Sequence, residues 1–148
     1  MKSYAKAIYG LFVQEYVLPP KQEGVTRIIA VGDSITWGSC STDIKTKAWP
    51  VQLMNMLHDT TKYEVINFGL GGRTMMKKGD MPYWNEPEYQ KTLSSDADII
   101  FLMLGTNDSK NYQWDEEAFL ADYHEMAKNF MDIKSKPSLY LLVPPPLH

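Results

Sequence analysis

The stretch RIIAVGDSIT, residues 27–36, decides how the rest of the chain is read. Ile28–Val31 is a short, mostly β-branched apolar run, the pattern of a buried strand. Gly32 interrupts the run, and Asp33-Ser34 follow where a strand gives way to a helix. A serine there stands at the carboxyl end of a strand, beside the positive end of a helix dipole. Ligands of open α/β sheets gather on that side. Ser34 is therefore the candidate nucleophile.

Working outward, Trp37–Ser41 reads as a small-residue loop. Trp49, Leu53 and Met56/Leu57 recur at helical spacing, with Pro50 in the first turn. YEVIN (63–67) alternates as a second strand and runs into a flexible loop at 68–72. Residues 77–95 are polar, with Pro82 and Pro87, and read as a long loop with one short helix. DIIFLML (98–104) is an almost unbroken apolar run, as expected of a central parallel strand covered on both faces. Phe119, Tyr123, Met126/Ala127 and Phe130 form an apolar helix stripe. Asp115, Glu116 and Glu117 sit in its first turn, and Lys128 and Lys134 lie late, each sign at its favoured end. Pro137 precedes a fourth strand, Leu139–Val143.

Strands alternating with helices imply parallel strands joined by right-handed crossovers. The loops at 32–34, 69–74, 105–108 and 144–148 each follow a strand's carboxyl end, so all four converge on one rim. Upstream, Pro19-Pro20 and Gly24 set off an N-terminal arm, residues 1–24, from a domain spanning 25–148.

The chain has 148 residues, 44% hydrophobic and 22% charged, with net charge −3. That composition suits one globular domain and gives no nucleic-acid footprint or polybasic membrane patch. A single cysteine, Cys40, excludes an internal disulfide and multi-cysteine zinc sites, and the three scattered histidines form no metal cluster. No metal or cofactor is expected. Lys2 and Lys6 precede the apolar patch Ala7–Val13, but no small-residue cleavage pattern follows, so a packed terminal arm is the expectation. The compartment stays open, with the cytoplasm as default. The nine methionines read as core filler.

Acyl transfer needs a nucleophile, donors for the tetrahedral oxyanion and a base. A loop such as Gly69–Gly72 can bring a backbone N–H to close range. Asn107 carries an amide that can donate another hydrogen bond. Asp33 and Asp108 suit loop-holding bonds to backbone. GDSIT (32–36), NFGLGGRT (67–74) and GTND (105–108), in that order, resemble the first three blocks of the SGNH, or GDSL, hydrolases, especially their acetylesterase-like members. The resemblance covers roughly residues 27 to 146. It implies a three-layer α/β/α, flavodoxin-like parallel sheet, with Ser34 as nucleophile and Gly72 and Asn107 lining the oxyanion hole. Gly72 is chosen over Gly71 and Gly69 for its place before Arg73-Thr74.

The family's fourth block, an Asp-x-x-His pair, has no counterpart in this sequence. The expectation is thus a domain truncated at its carboxyl end. His148, just past the last strand, is the candidate base; His58 and His124 suit ordinary surface or packing roles. The implied activity is an esterase that removes short acyl groups, acetyl foremost, from carbohydrate or similar esters through an acyl-serine. The alternative is a binding module that keeps the pocket without the base. A shortened sheet would also leave an edge for a second copy. Arg73 is either a contact for an anionic acyl or sugar group or simply solvated. Trp37, Trp84, Tyr112 and Trp114 either wall a sugar site or pack loops onto the domain.

Overall fold

A computed structural model describes residues 18–145, apart from Asn111 and Gln113. Four parallel strands form one sheet: β1 (Thr26–Gly32), β2 (Tyr63–Gly69), β3 (Ile99–Met103) and β4 (Ser138–Leu141). Their order across the sheet is β2-β1-β3-β4. The first crossover runs one way along the sheet and the next two run the other way. Right-handed connections then place helices on both faces.

The first crossover carries α1 (Ser34–Trp37), α2 (Ile44–Lys47) and α3 (Trp49–Leu57). The second carries a 3₁₀ turn (Tyr83–Asn85) and α4 (Pro87–Leu93), and the third carries α5 (Glu116–Met131). Pro50 and Pro87 both lie in a first helical turn, where a missing N–H costs nothing. Asp115 caps α5 by accepting a hydrogen bond from the Ala118 N–H at 3.0 Å.

Alternate residues of the strands feed two different cores. Ile29, Val31, Ile100 and Leu102 pack with Tyr89, Met126 and Phe130, beneath α4 and α5. On the other face Trp49 of α3 meets Phe101 edge-on, with ring centroids 5.9 Å apart. Burying each such aliphatic side chain contributes about 1.5–3 kcal/mol. The apolar runs of β1 and β3 are thus the centre of the molecule.

Three expectations need correction. The fourth strand is Ser138–Leu141 rather than Leu139–Val143, although the Leu142 N–H still donates to the Leu102 carbonyl at 2.9 Å. It lies at the sheet edge, with Tyr140 and Leu141 exposed and Val143 92% exposed. The 77–95 segment holds a 3₁₀ turn as well as a helix. It is pinned by Tyr83, which is fully buried and donates its hydroxyl to the Phe68 carbonyl at 2.7 Å. Trp84 donates its indole N–H to the Met75 carbonyl at 2.6 Å, so it serves the loop. Only some methionines fill the core: Met75, Met76, Met103 and Met126 are buried, whereas Met56, Met81 and Met131 are exposed.

The amino-terminal rim is tied by Arg27. Its Nε donates to Glu64 at 2.6 Å, Nη1 to the Ser95 carbonyl at 2.6 Å, and Nη2 to the Pro19 carbonyl at 2.8 Å. Its own N–H donates to Asp98 Oδ2 at 2.7 Å, and Lys21 pairs with Asp98 Oδ1 at 2.8 Å. Leu18 packs against the core. The end of the predicted arm is thereby anchored to the domain; residues 1–17 of that arm lie outside the described residues.

Candidate active site

The three blocks meet because three strands end in register. Gly32 of β1 pairs with Gly69 of β2 on one side and Met103 of β3 on the other. The residues that follow, 33–34, 70–73 and 105–108, therefore leave the sheet at the same rim. The Leu70 N–H donates to the Gly32 carbonyl at 3.0 Å, which carries this alignment one residue further.

Asp33 is the N-cap of α1, and its Oδ1 accepts from the Ile35 N–H at 2.9 Å. Ser34, half-buried, is the first residue of this single helical turn. A first-turn N–H has no partner within its own helix and is available to an anion. Gly38 closes the turn in the left-handed region, at φ 102°. Gly69 is required by closeness: a Cβ there would fall on the backbone of Thr36 and Trp37. Asn67 links the same two segments. Its amide donates to the Thr36 carbonyl at 3.0 Å, and its Oδ1 accepts from the Gly69 N–H at 2.9 Å.

Gly72 has φ +78°, a conformation that L side chains rarely adopt. Arg73 is not solvated, as one of the two sequence readings had it. Its Nε donates to Glu86 Oε1 at 2.9 Å and its Nη1 to the Gly71 carbonyl at 2.7 Å. The Asn107 amide donates to the Arg73 carbonyl at 3.0 Å, so the second and third blocks are bonded together. Asp108 is buried and accepts from the N–H groups of Met75 at 2.9 Å and Met76 at 2.7 Å. Asp33 and Asp108 thus hold loops through backbone bonds, as expected.

Burial raises the pKa of Asp33 above its usual value. The Ile35 N–H and the Thr106 hydroxyl oppose the rise, and the charge of Asp108 adds to it. Burial likewise raises Asp108, against the pull of the Met75 and Met76 N–H groups. Asp33 Oδ2 and Thr106 Oγ1 are both buried and without a well-formed hydrogen bond among the described residues. The rim therefore carries two buried carboxylates, one on the serine turn and one on the loop that follows β3 and bonds the loop that follows β2.

Ser34, Gly72, Arg73 and Asn107 share this rim. His148 lies outside the described residues. His58 does not belong here: it caps α3 at φ 54°, just before β2 begins, on the opposite rim. His124 is exposed on α5, beside an open apolar groove of about 600 Å³ between α5 and the ends of β3 and β4. Trp114, Phe119 and Val143 line that groove, and Ser34, Gly72 and Asn107 do not. Tyr112 donates its hydroxyl to Asp80 at 2.8 Å. Among the described residues no group of three or more His, Cys, Asp or Glu is arranged to hold a metal ion, and no helix is long and apolar enough to cross a membrane. Sequence reasoning missed Asn67, Glu86 and Thr106. Only Asn67 left a local signal, a polar residue ending a strand two positions before a glycine.

Residues 30–148 match the model of the GDSL-like lipase/acylhydrolase family. An acetylxylan esterase from Xylanibacter ruminicola is 38% identical over 124 residues, which cover 82% of this chain and 25% of that protein. The chain thus spans a quarter of the length of this curated relative. Two solved structures share the fold. A carbohydrate acetylesterase family member from Sinorhizobium meliloti has a TM-score of 0.61 at 23% identity, over 84% of this chain and 65% of the other. A family two carbohydrate esterase from Clostridium thermocellum, in complex with cellohexaose, has a TM-score of 0.64 at 17% identity, over 88% and 46%. At those identities the two likenesses are of fold alone.

Proposed function

Because the chain belongs to the GDSL-like lipase/acylhydrolase family, we propose that it carries the nucleophile and oxyanion donors of a serine carboxylic ester hydrolase acting on acetylated carbohydrate. Ser34 Oγ attacks the ester carbonyl and passes its proton to a base, for which His148 is the candidate. The tetrahedral oxyanion is held by the N–H groups of Ser34 and Gly72 and by the Asn107 amide. The alcohol leaves with a proton, and water then resolves the acyl-serine by the reverse proton path. The substrate class rests on the acetylxylan esterase relative.

The observation that supports this reading best is the bond from the Asn107 amide to the Arg73 carbonyl, 3.0 Å, on the rim that bears Ser34. It joins two donor-bearing loops beside one serine, which is what oxyanion stabilisation requires. The test is hydrolysis of p-nitrophenyl acetate, followed by acetate release from acetylated xylan. Ser34→Ala is expected to abolish both. Asn107→Ala is expected to lower kcat by about 10²–10³-fold. Equal rates for wild type and Ser34→Ala would sink the proposal.

One observation favours a second reading, a binding module for acylated sugars: among the described residues, no histidine stands on the Ser34 rim. Binding of acetylated xylo-oligosaccharide without turnover would support it. The exposed β4 edge, bearing Tyr140 and Leu141, would let a second copy pair there and supply a base in trans. A strictly monomeric chain by light scattering would exclude that pairing.

A further inference from the structure

We infer that Arg73, held by Glu86, is a positioning residue that aims the Gly72 N–H at the reacting carbonyl; the inference rests on the oxyanion role proposed above for Gly72. A trans peptide is planar, so its C=O and N–H point in opposite directions. Arg73 Nη1 binds the Gly71 carbonyl at 2.7 Å. That bond fixes the plane of the Gly71–Gly72 peptide and turns the Gly72 N–H away from the guanidinium.

The peptide needs such a clamp. It joins two glycines, with Gly72 at φ +78°, and a Cβ on Gly71 would meet nothing within 4 Å. Neither side-chain packing nor ordinary backbone preference therefore holds this plane, and glycine tolerates the flipped alternative at little cost.

Arg73 is well placed to supply the clamp because it is rooted at both ends. Its carbonyl accepts from the Asn107 amide at 3.0 Å, and its Nε donates to Glu86 Oε1 at 2.9 Å. The Glu86 N–H in turn donates to the Tyr83 carbonyl at 3.1 Å. Tyr83 is fully buried, and its hydroxyl is bonded to the Phe68 carbonyl at 2.7 Å. Rigid contacts thus run from the core beneath β2, through Glu86 and a planar guanidinium, to one flexible peptide. A lysine could serve one of the two acceptors but lacks the fork to bind both.

Gly71-Gly72 is the single Gly-Gly pair of the sequence. Glycine labelled with carbonyl ¹³C and ¹⁵N therefore gives the Gly72 amide one unambiguous correlation in the full chain. In Arg73→Gln this correlation is expected to move, because the Gly71 carbonyl loses its donor and the peptide plane is released. Glu86→Gln, which keeps the size and polarity of the side chain, is expected to give a smaller change in the same direction. On p-nitrophenyl acetate, kcat should fall about 10–100-fold in Arg73→Gln, with KM within about twofold, since a misaimed donor costs less than a deleted one. Arg73→Lys should resemble Arg73→Gln.

An unmoved Gly72 correlation in Arg73→Gln would overturn the inference. So would full rescue by lysine, or a raised KM at constant kcat, which would make Arg73 a substrate contact. If the correlation moves but Ser34→Ala hydrolyses as fast as wild type, the esterase reading and the aiming role fall together, while the clamp on the peptide stands as measured.

Discussion

Two arginines tie the two ends of this sheet, and they do so under different conditions. Arg27, at the amino-terminal rim, has a side chain 3% exposed, with Nε, Nη1 and Nη2 each bonded to the protein. Arg73, at the carboxyl-terminal rim, is 21% exposed and directs two nitrogens at a carboxylate and at the peptide before Gly72. The first joins segments distant in sequence and holds the strand starts together. The second orients one loop. Burial decides the difference: a desolvated guanidinium stripped of a partner leaves orphaned carbonyls and a stranded carboxylate, whereas water can reach the partners of a partly exposed one.

That contrast sets an order of effects. Arg27→Met should cost the most, about 3 kcal/mol, because the Ser95 and Pro19 carbonyls lose their donor and Glu64 its partner. Urea unfolding reads this directly, and a loss below about 1 kcal/mol would mean that the lower rim is not held by charge. Next comes Asp108→Asn, at about 2 kcal/mol, since one of the Met75 and Met76 N–H groups would then face an NH₂ group instead of a carboxylate oxygen. Arg73→Gln should cost about 1 kcal/mol or less in the same assay. A cost equal to that of Arg27→Met would erase the contrast.

The smallest effect belongs to Asp33→Asn, because asparagine caps a helix as well as aspartate. Its stability at neutral pH should stay within about 0.5 kcal/mol of wild type or rise slightly. The pH dependence separates the two proteins more clearly. Burial lifts the folded pKa of Asp33 above its ordinary 3.8, so the native state holds the proton more tightly than the unfolded chain. The stability this group contributes is full below that ordinary value and is lost as pH rises through the folded one. Wild type should therefore lose stability over that window, and Asp33→Asn should lose less. Asp59 runs the other way. The Thr61 hydroxyl and Lys62 lower its pKa to about 2, so its contribution is present above 3.8 and lost as pH falls towards about 2.

The sequence made some of this legible and hid the rest for physical reasons. Ile28–Val31 and Ile99–Met103 could be read because a strand buried on both faces has no polar alternation to dilute the signal. Ser34 could be read because Gly32 and Asp33 each have a local task, one to leave the strand and one to cap a turn. Arg27 could not, because its guanidinium partners lie 8, 37 and 68 residues away. An arginine at the head of a strand looks like a solvated flank until the fold closes around it. Glu86 was hidden similarly, 13 residues from Arg73 in a segment that reads as loop. LYLLV (139–143) reads as a strand, yet chain order does not tell strand order, and β4 lies at the edge. Trp84 read equally as a sugar wall or as loop packing, and its bond to the Met75 carbonyl gives it the second role.

The strand order also sets a timetable during synthesis. β1 lies at the centre of the sheet, but its neighbours arrive late: Thr26 pairs with Tyr63, and Ile28 with Ile99. At about 5–20 residues per second, β2 follows β1 by roughly 2–7 s and β3 by roughly 4–14 s. For those seconds the apolar run Ile28–Val31 has at most one flank covered. A nascent chain paused before β3 should therefore bind a chaperone, and one in which β3 has left the ribosome should bind it less.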